Sequence, residues 1–141
     1  MRVLPAHFPC LYFTGVLLLS GCVSQTHAPY QGYSETQLEA VLMDIHDRLG
    51  YTAADLRKEL ANSQGYTREQ AADLKQRIAN LIVAYEKLYH EADCAQRAKK
   101  QESRVCWEAK IRSAGFRFNA GILDSEHPDL PPLPKKRDDT P

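Results

Sequence analysis

Three potential metal ligands lie at helical spacing near the middle of the chain. Glu86, His90 and Cys94 are each four residues apart, which would place a carboxylate, an imidazole and a thiol on one face of a helix. Zinc accepts all three donor types. No fourth ligand is in evident reach, and the sequence has no glycine-rich phosphate loop, no GxSxG turn and no HExxH motif. We therefore expect no metal, no cofactor and no enzymatic activity.

The first residues have the pattern of a secretory signal that ends at a cysteine. Arg2 precedes an apolar segment of about ten residues, too short to cross a bilayer core that needs about 20. Residues 19–22, which read Leu-Ser-Gly-Cys, resemble the lipobox of bacterial lipoproteins. The resemblance implies removal of residues 1–21 and lipidation of Cys22. A signal peptide with an incidental cysteine and an uncleaved signal anchor are the alternatives.

The resemblance also implies where the mature chain is located in the cell envelope. Two or three acyl chains on Cys22, at about 0.8 kcal/mol per buried methylene, hold a protein stably on a membrane. Val23 stands where lipoproteins retained at the inner membrane of Gram-negative bacteria tend to carry aspartate, so the periplasmic face of the outer membrane is expected. Residues 22–33 lack periodicity and contain Pro29 and Gly32, which predicts a flexible tether.

The implied compartment decides how the other cysteines are interpreted. Cys10 leaves with the signal and Cys22 is acylated, so Cys94 and Cys106 are expected to form a disulfide in an oxidising environment. One continuous helix would hold them roughly 18 Å apart, at about 1.5 Å per residue, too far to bond. A turn within residues 98–103 would fold the chain into a hairpin and bring them together. We prefer the hairpin, although no glycine or proline marks the turn.

The middle of the chain predicts an all-α domain, a small bundle of three to four helices over residues 34–123. Three Ser or Thr residues, each with a polar partner three positions on, mark helix starts. These pairs are Ser34 with Gln37, Thr52 with Asp55, and Thr67 with Gln70. Gly50 is expected to end the first helix, residues 62–65 the second, and Gly115 a fourth helix that follows the turn.

The third and longest helix carries apolar residues at alternating spacings of three and four. They are Ala71, Leu74, Ile78, Leu81, Tyr85, Leu88 and Ala92. Ile82 and Tyr89 widen this heptad seam into a face suited to a bundle core. Three heptads are few for an independent coiled coil, so packing within the bundle is the preferred interpretation. A homodimer formed through this seam is the alternative.

The last quarter of the chain gives weaker signals. Residues 116–123 alternate briefly between apolar and polar, as in a short strand or an apolar segment that packs across the bundle. Four prolines follow between residues 127 and 134. We therefore predict a disordered, proline-rich tail over residues 124–141, in which residues 131–134 could present a polyproline II segment to a partner.

Aromatic residues with a polar tip are the main candidates for binding. The chain has seven tyrosines against four phenylalanines, and such side chains suit binding surfaces. Tyr66, Tyr85, Tyr89 and Trp107 are the candidates to line a groove between helices that binds a protein partner. The preferred interpretation is structural, with Tyr85 in the core, Tyr89 at its edge and Tyr66 at the start of the third helix.

Composition and architecture favour a non-catalytic binding protein. The chain has 18 basic and 18 acidic side chains, so no basic excess points to nucleic acid. The lipobox, the small size, the helical pattern and the cysteine pair resemble the pilotins, lipoproteins that carry a secretin subunit to the outer membrane. The resemblance implies a partner in envelope or secretion-machinery assembly. The alternatives are an inhibitory lipoprotein of the entry-exclusion or immunity type and an envelope spacer built as a helical dimer.

Overall fold

The computed structural model describes residues 28–100 and 103–137, without the side chains of residues 98–100. This part of the chain contains six helices and no strand. The helices are α1 Glu35–Leu49, α2 Ala53–Ala61, α3 Arg68–Glu91, α4 Cys94–Lys100, α5 Arg104–Asn119 and α6 Gly121–Glu126. The predicted all-α bundle is confirmed, with two short helices, α4 and α6, in addition to those expected. None of the six combines the length and hydropathy that crossing a bilayer requires. Residues 19–22 lie outside the described ranges.

Capping boxes begin α1, α2 and α3 at the predicted positions. The Ser34 hydroxyl accepts a hydrogen bond from the Gln37 N–H, while the Gln37 side chain accepts one from the Ser34 N–H. The other two pairs are Thr52 with Asp55 and Thr67 with Gln70. Each box satisfies two backbone N–H groups that a helix start leaves free, so local sequence alone decides where these helices begin.

α3 and α5 form the antiparallel centre of the bundle. Cys94, just after α3, is bonded to Cys106 near the start of α5, and Glu86 pairs with Arg117 near the end of α5. α1 packs on both helices and α2 packs on α3. The heptad residues of α3 are all buried in this core, namely Ala71, Leu74, Ile78, Leu81, Tyr85, Leu88 and Ala92. The seam considered for a homodimer therefore faces the chain's own core.

The predicted disulfide is present and the chain folds back around it. The two sulfur atoms are 2.04 Å apart and the two Cα atoms 5.5 Å apart. The chain changes direction first at Asp93, whose φ of 51° is left-handed, and again between α4 and α5. The sequence pattern predicted only the second change. Asp93 escaped notice because aspartate tolerates the left-handed conformation without the signature that a glycine would give.

The predicted end of the fourth helix at Gly115 is wrong. α5 continues through Gly115 to Asn119, and Phe116 in this last turn is only 3% exposed. Burying a phenylalanine stabilises by about 1.5–3 kcal/mol, more than the roughly 1 kcal/mol that a glycine costs inside a helix. Residues 116–119 accordingly belong to α5 and residues 121–123 to α6, with Ala120 in the turn between them and no strand. Leu123 of α6 also enters the core, so this stretch does pack across the bundle.

The predicted disordered tail is wrong for residues 124–137, and residues 138–141 lie outside the described ranges. Residues 124–126 belong to α6, and Leu130, in the irregular stretch after it, is only 7% exposed. Three polar contacts hold the segment to the helices: Lys75 with Asp124, Arg68 with Asp129, and the Arg117 guanidinium with the Pro134 carbonyl oxygen. These partners are distant in sequence, so the composition of the tail could not reveal them.

The predicted flexible tether is wrong for its described part, residues 28–33. The Tyr30 N–H donates to the Glu91 carbonyl oxygen at 2.7 Å, and Arg97 donates to the Tyr30 carbonyl oxygen at 3.1 Å. The Tyr30 ring also packs on the Tyr33 ring, with centroids 5.2 Å apart. The last carbonyl groups of a helix have no hydrogen-bond donor within the helix. The Tyr30 N–H is such a donor for the Glu91 carbonyl oxygen at the end of α3.

Removing the disulfide is expected to lower the free energy of unfolding by about 3 kcal/mol, because the bond restricts a loop of about a dozen residues in the unfolded chain. Urea unfolding of the Cys94→Ser/Cys106→Ser double variant, beside the oxidised and the reduced natural protein, measures this loss. The reduced protein should match the variant. A loss below about 1 kcal/mol in both would contradict the prediction.

Asp124→Asn is expected to lower the free energy of unfolding by about 1–3 kcal/mol, because it leaves a buried ammonium without its carboxylate. The Lys75 side chain is 5% exposed and its Nζ bonds to Asp124. Asp73→Asn, which removes an exposed carboxylate from the same helix, is the control and should cost less than about 1 kcal/mol. Equal losses in urea unfolding would contradict the role given to Lys75.

Candidate binding surface on helix α5

The three possible metal ligands do not form a site. Cys94 is consumed by the disulfide, and both Glu86 carboxylate oxygens accept hydrogen bonds from the Arg117 guanidinium, at 2.8 and 3.0 Å. His90 packs edge-on against the Tyr89 ring. Within residues 28–100 and 103–137, no group of three or more His, Cys, Asp or Glu side chains is placed to hold a metal ion.

The structure brings together two of the four predicted aromatic residues. Tyr89 and Trp107 line one cleft beside the disulfide. Tyr66 lies at the opposite end of α3, close to Glu59, and Tyr85 is fully buried in the core. The predicted groove with four aromatic walls is therefore wrong, because the antiparallel pairing of α3 with α5 separates Tyr66 from Trp107 and turns Tyr85 inward.

Tyr85 has a structural role in a polar pair with α1. Its hydroxyl oxygen lies 2.7 Å from Nε2 of His46, and the ring centroids are 5.9 Å apart. Burial raises the pKa of Tyr85 to about 12 and lowers the pKa of His46 below its usual 6.5. Both side chains are thus neutral at pH 7, and their contact joins α1 to α3 inside the bundle.

The cleft beside the disulfide combines aromatic walls with cations. Its volume is about 650 Å³, and Tyr89 and Trp107 face it together with the two half-cystines. Arg104 and Lys110 also line it. The Arg104 guanidinium lies 3.0 Å from Oε1 of Glu39, whereas Lys110 has no ion-pair partner among the residues that the structure describes. The cleft offers apolar surface and positive charge to a ligand.

Helix α5 has apolar residues on both of its faces. The inner face enters the core through Val105, Ala109 and Phe116. The opposite face is exposed and carries Trp107, Ile111, Ala114 and Phe118, which we call the outer seam. Trp107 is 61% exposed, Ile111 47% and Phe118 86%, and Ala114 is also exposed. An exposed apolar row of this kind is a candidate interaction site.

The outer seam lies between basic side chains. Lys110, Lys136 and Arg137 line a cleft of about 460 Å³ next to Phe118. On the other side, Arg57 of α2 and Arg112 line a smaller cleft next to Trp107 and Ile111. Nε of Arg112 lies 3.8 Å from Oε1 of Glu108. The surface as a whole is an apolar row with positive charge along both sides.

Trp107 is the one residue of the outer seam that was predicted from the sequence to bind a partner. A usable signal was present, since Ile111 and Phe118 follow Trp107 by four and eleven residues, opposite the face that carries Val105 and Ala109. The early helix end predicted at Gly115 hid Phe118. Lys136 and Arg137 could not be found in this way, because only tertiary packing places the tail beside α5.

The free energy of unfolding is expected to fall as the pH is lowered from about 7 to about 5. Because burial lowers the pKa of His46 in the folded state, the unfolded state binds the proton more readily, and stability is lost below the unfolded pKa. The opposing carboxylates of Glu108, Asp47 and Asp55 reduce the shift without reversing it. Urea unfolding across this range should give a flatter curve for His46→Gln. Equal slopes for variant and natural protein would contradict the assignment.

Comparison of the chain with models of protein families, with curated proteins and with solved structures finds no match in any of the three. The helical bundle and the basic, aromatic surface on α5 are therefore interpreted from the residues of this chain. The resemblance of residues 19–22 to a lipobox remains a local one, confined to those positions and the apolar segment before them.

Proposed function

We propose that this chain is a lipid-anchored, non-catalytic protein that holds a protein partner at the periplasmic face of the outer membrane, as pilotins do. The anchor follows from the lipobox pattern at residues 19–22 and from Val23 after it. The outer seam carries the binding part of the proposal, since it exposes Trp107 and Phe118 on a helix whose other face is already buried. Such a surface is stabilised when a partner covers it.

The positions of the titratable groups support a non-catalytic role. Among the described residues, the groups with shifted pKa values cap helices, form ion pairs or lie in the core, except for the half-buried Tyr51, whose hydroxyl donates to the Arg77 carbonyl oxygen. Asp55 caps α2 through Thr52, Glu59 pairs with Arg77, and Tyr85 contacts His46 inside the bundle. None of these groups lines the cleft beside the disulfide. An active site would be expected to place perturbed groups in an accessible cleft.

The length of the chain before the bundle supports a partner held close to the membrane. Ala28 is the first described residue and lies six positions after Cys22, a span of at most about 22 Å. Tyr30 is bonded to the end of α3, beside α4 and the disulfide. An acyl anchor on Cys22 would therefore keep the bundle, and the outer seam with it, near the bilayer surface.

Cys22→Ala is expected to abolish lipidation and to release the protein from the outer-membrane fraction, together with the partner that depends on it. Labelling with palmitate and membrane fractionation measure the two effects. Cys10→Ala, which changes the signal segment and leaves the lipobox intact, is the control and should behave as the natural protein does. Palmitate labelling that survives in Cys22→Ala would contradict the proposal.

Deletion of the gene separates this proposal from an inhibitory lipoprotein. Loss of a pilotin-like protein should stop the partner from reaching the outer membrane, and fractionation of the partner measures this. If the partner still reaches the membrane and the cell instead becomes sensitive to an incoming apparatus or enzyme, the inhibitory alternative is correct.

A further inference from the structure

We infer that the outer seam of α5 binds an amphipathic helix with acidic flanks, contributed by the partner protein. The inference rests on the proposed function, because it assumes a protein partner, and it adds the chemistry of that partner. Three features of the described residues carry it, namely the spacing of the seam, the small residues at its centre and the charge along its sides.

The spacing of the outer seam is that of a helix-packing surface. Trp107, Ile111, Ala114 and Phe118 follow one another at intervals of four, three and four residues, the repeat by which one helix packs along another. At about 1.5 Å per residue, the row from Trp107 to Phe118 is about 17 Å long. A partner helix of about three turns would cover it.

Small residues lie between the larger side chains of the seam. Ala114 and Gly115 lie between Ile111 and Phe118, and a Cβ atom added at Gly115 would meet no atom within 4 Å. A side chain of a partner helix can therefore approach the α5 backbone at this point, as helices do when they pack along each other.

The charge along the seam defines the flanks of the partner. Lys110, Lys136 and Arg137 lie on one side, and Arg57 lies on the other. Lys110 and Arg57 have no ion-pair partner among the described residues, so both are available to carboxylates. Complementary charge at the rim of an apolar contact selects the partner and speeds association.

The same charge opposes a second copy of this chain as the occupant. Two copies related by a two-fold axis would present the same surface to each other. Lys110, Lys136 and Arg137 of each copy would then lie near like charges of the other along the seam. Repulsion of this kind disfavours the homodimer and leaves an acidic partner as the better fit.

A pair of designed peptides tests the inference directly. Each has about 18 residues, long enough to be helical, with leucine at alternating spacings of three and four. One carries glutamate and the other lysine at the flanking positions. The full-length protein, purified in a non-ionic detergent, is titrated with each peptide while the fluorescence of Trp107, the one tryptophan of the chain, is followed. We expect a shift to shorter wavelength and binding about tenfold tighter for the glutamate peptide.

Variants of the protein separate the two components of the contact. Phe118→Ser should weaken binding of both peptides, because it removes the most exposed apolar side chain of the seam. Lys110→Glu should reverse the preference and favour the lysine peptide. Met43→Ser, which removes a side chain of α1 that is 66% exposed, is the matched control and should bind as the natural protein does.

Several outcomes would overturn the inference. Equal binding of the two peptides, or no binding of the glutamate peptide, would show that the seam does not recognise an acidic helix. Quenching of Trp107 by brominated lipid in vesicles that contain phosphatidylglycerol, with no peptide present, would make the seam a membrane surface. Sedimentation of a dimer that Phe118→Ser dissociates would make it a self-association surface.

Failure of the inference can be told apart from failure of the proposed function. The partner's outer-membrane location could require Cys22 and yet be unchanged by Phe118→Ser and Lys110→Glu. That result would support lipid anchoring and partner binding, and it would exclude the outer seam as the binding surface. Peptide binding with the expected charge preference, in a protein that palmitate does not label, would uphold the seam and exclude the anchor.

Discussion

The antiparallel packing of α3 against α5 is the constraint on which the rest of the structure depends. α3 supplies a continuous row of fully buried side chains, from Ala71 to Ala92, and α5 packs along the end of α3 that leads to the disulfide. The bond between Cys94 and Cys106 fixes the end of the pair at which the chain turns back. With that end fixed, α1 and α2 can close the remaining sides, and α6 can continue along α3 toward its start, where Lys75 binds Asp124.

The same packing creates the candidate binding surface. α5 has apolar residues on two faces, and α3 can cover only one of them, so Trp107, Ile111 and Phe118 stay exposed. Lys136 and Arg137 lie beside this row because the chain after α6 folds back against α5. The Pro134 carbonyl oxygen accepts a hydrogen bond from Arg117 there. The pairing of α3 with α5 thus leaves an apolar row exposed, and the packing of the segment after α6 adds basic side chains beside it.

Local sequence was sufficient where the physical cause is local. A capping box acts over three residues, so the starts of α1, α2 and α3 followed from pairs such as Ser34 with Gln37. It was insufficient where a distant contact outweighs a local preference. Burial of Phe116 carries α5 past Gly115, and the contacts of Asp124 and Asp129 order a proline-rich segment that reads as disordered by composition.

The sequence by itself determined the helical class, the starts of α1, α2 and α3, and the pairing of the two cysteines, because caps, heptad spacing and cysteine chemistry act without knowledge of the whole fold. Only the tertiary structure decided which aromatic side chains are available for binding. Tyr85 and Trp107 were both candidates for the binding groove, yet one is fully buried against His46 and the other is exposed on α5. The reason is that exposure depends on which face of a helix its neighbours cover, and that is settled by packing between segments far apart in the chain.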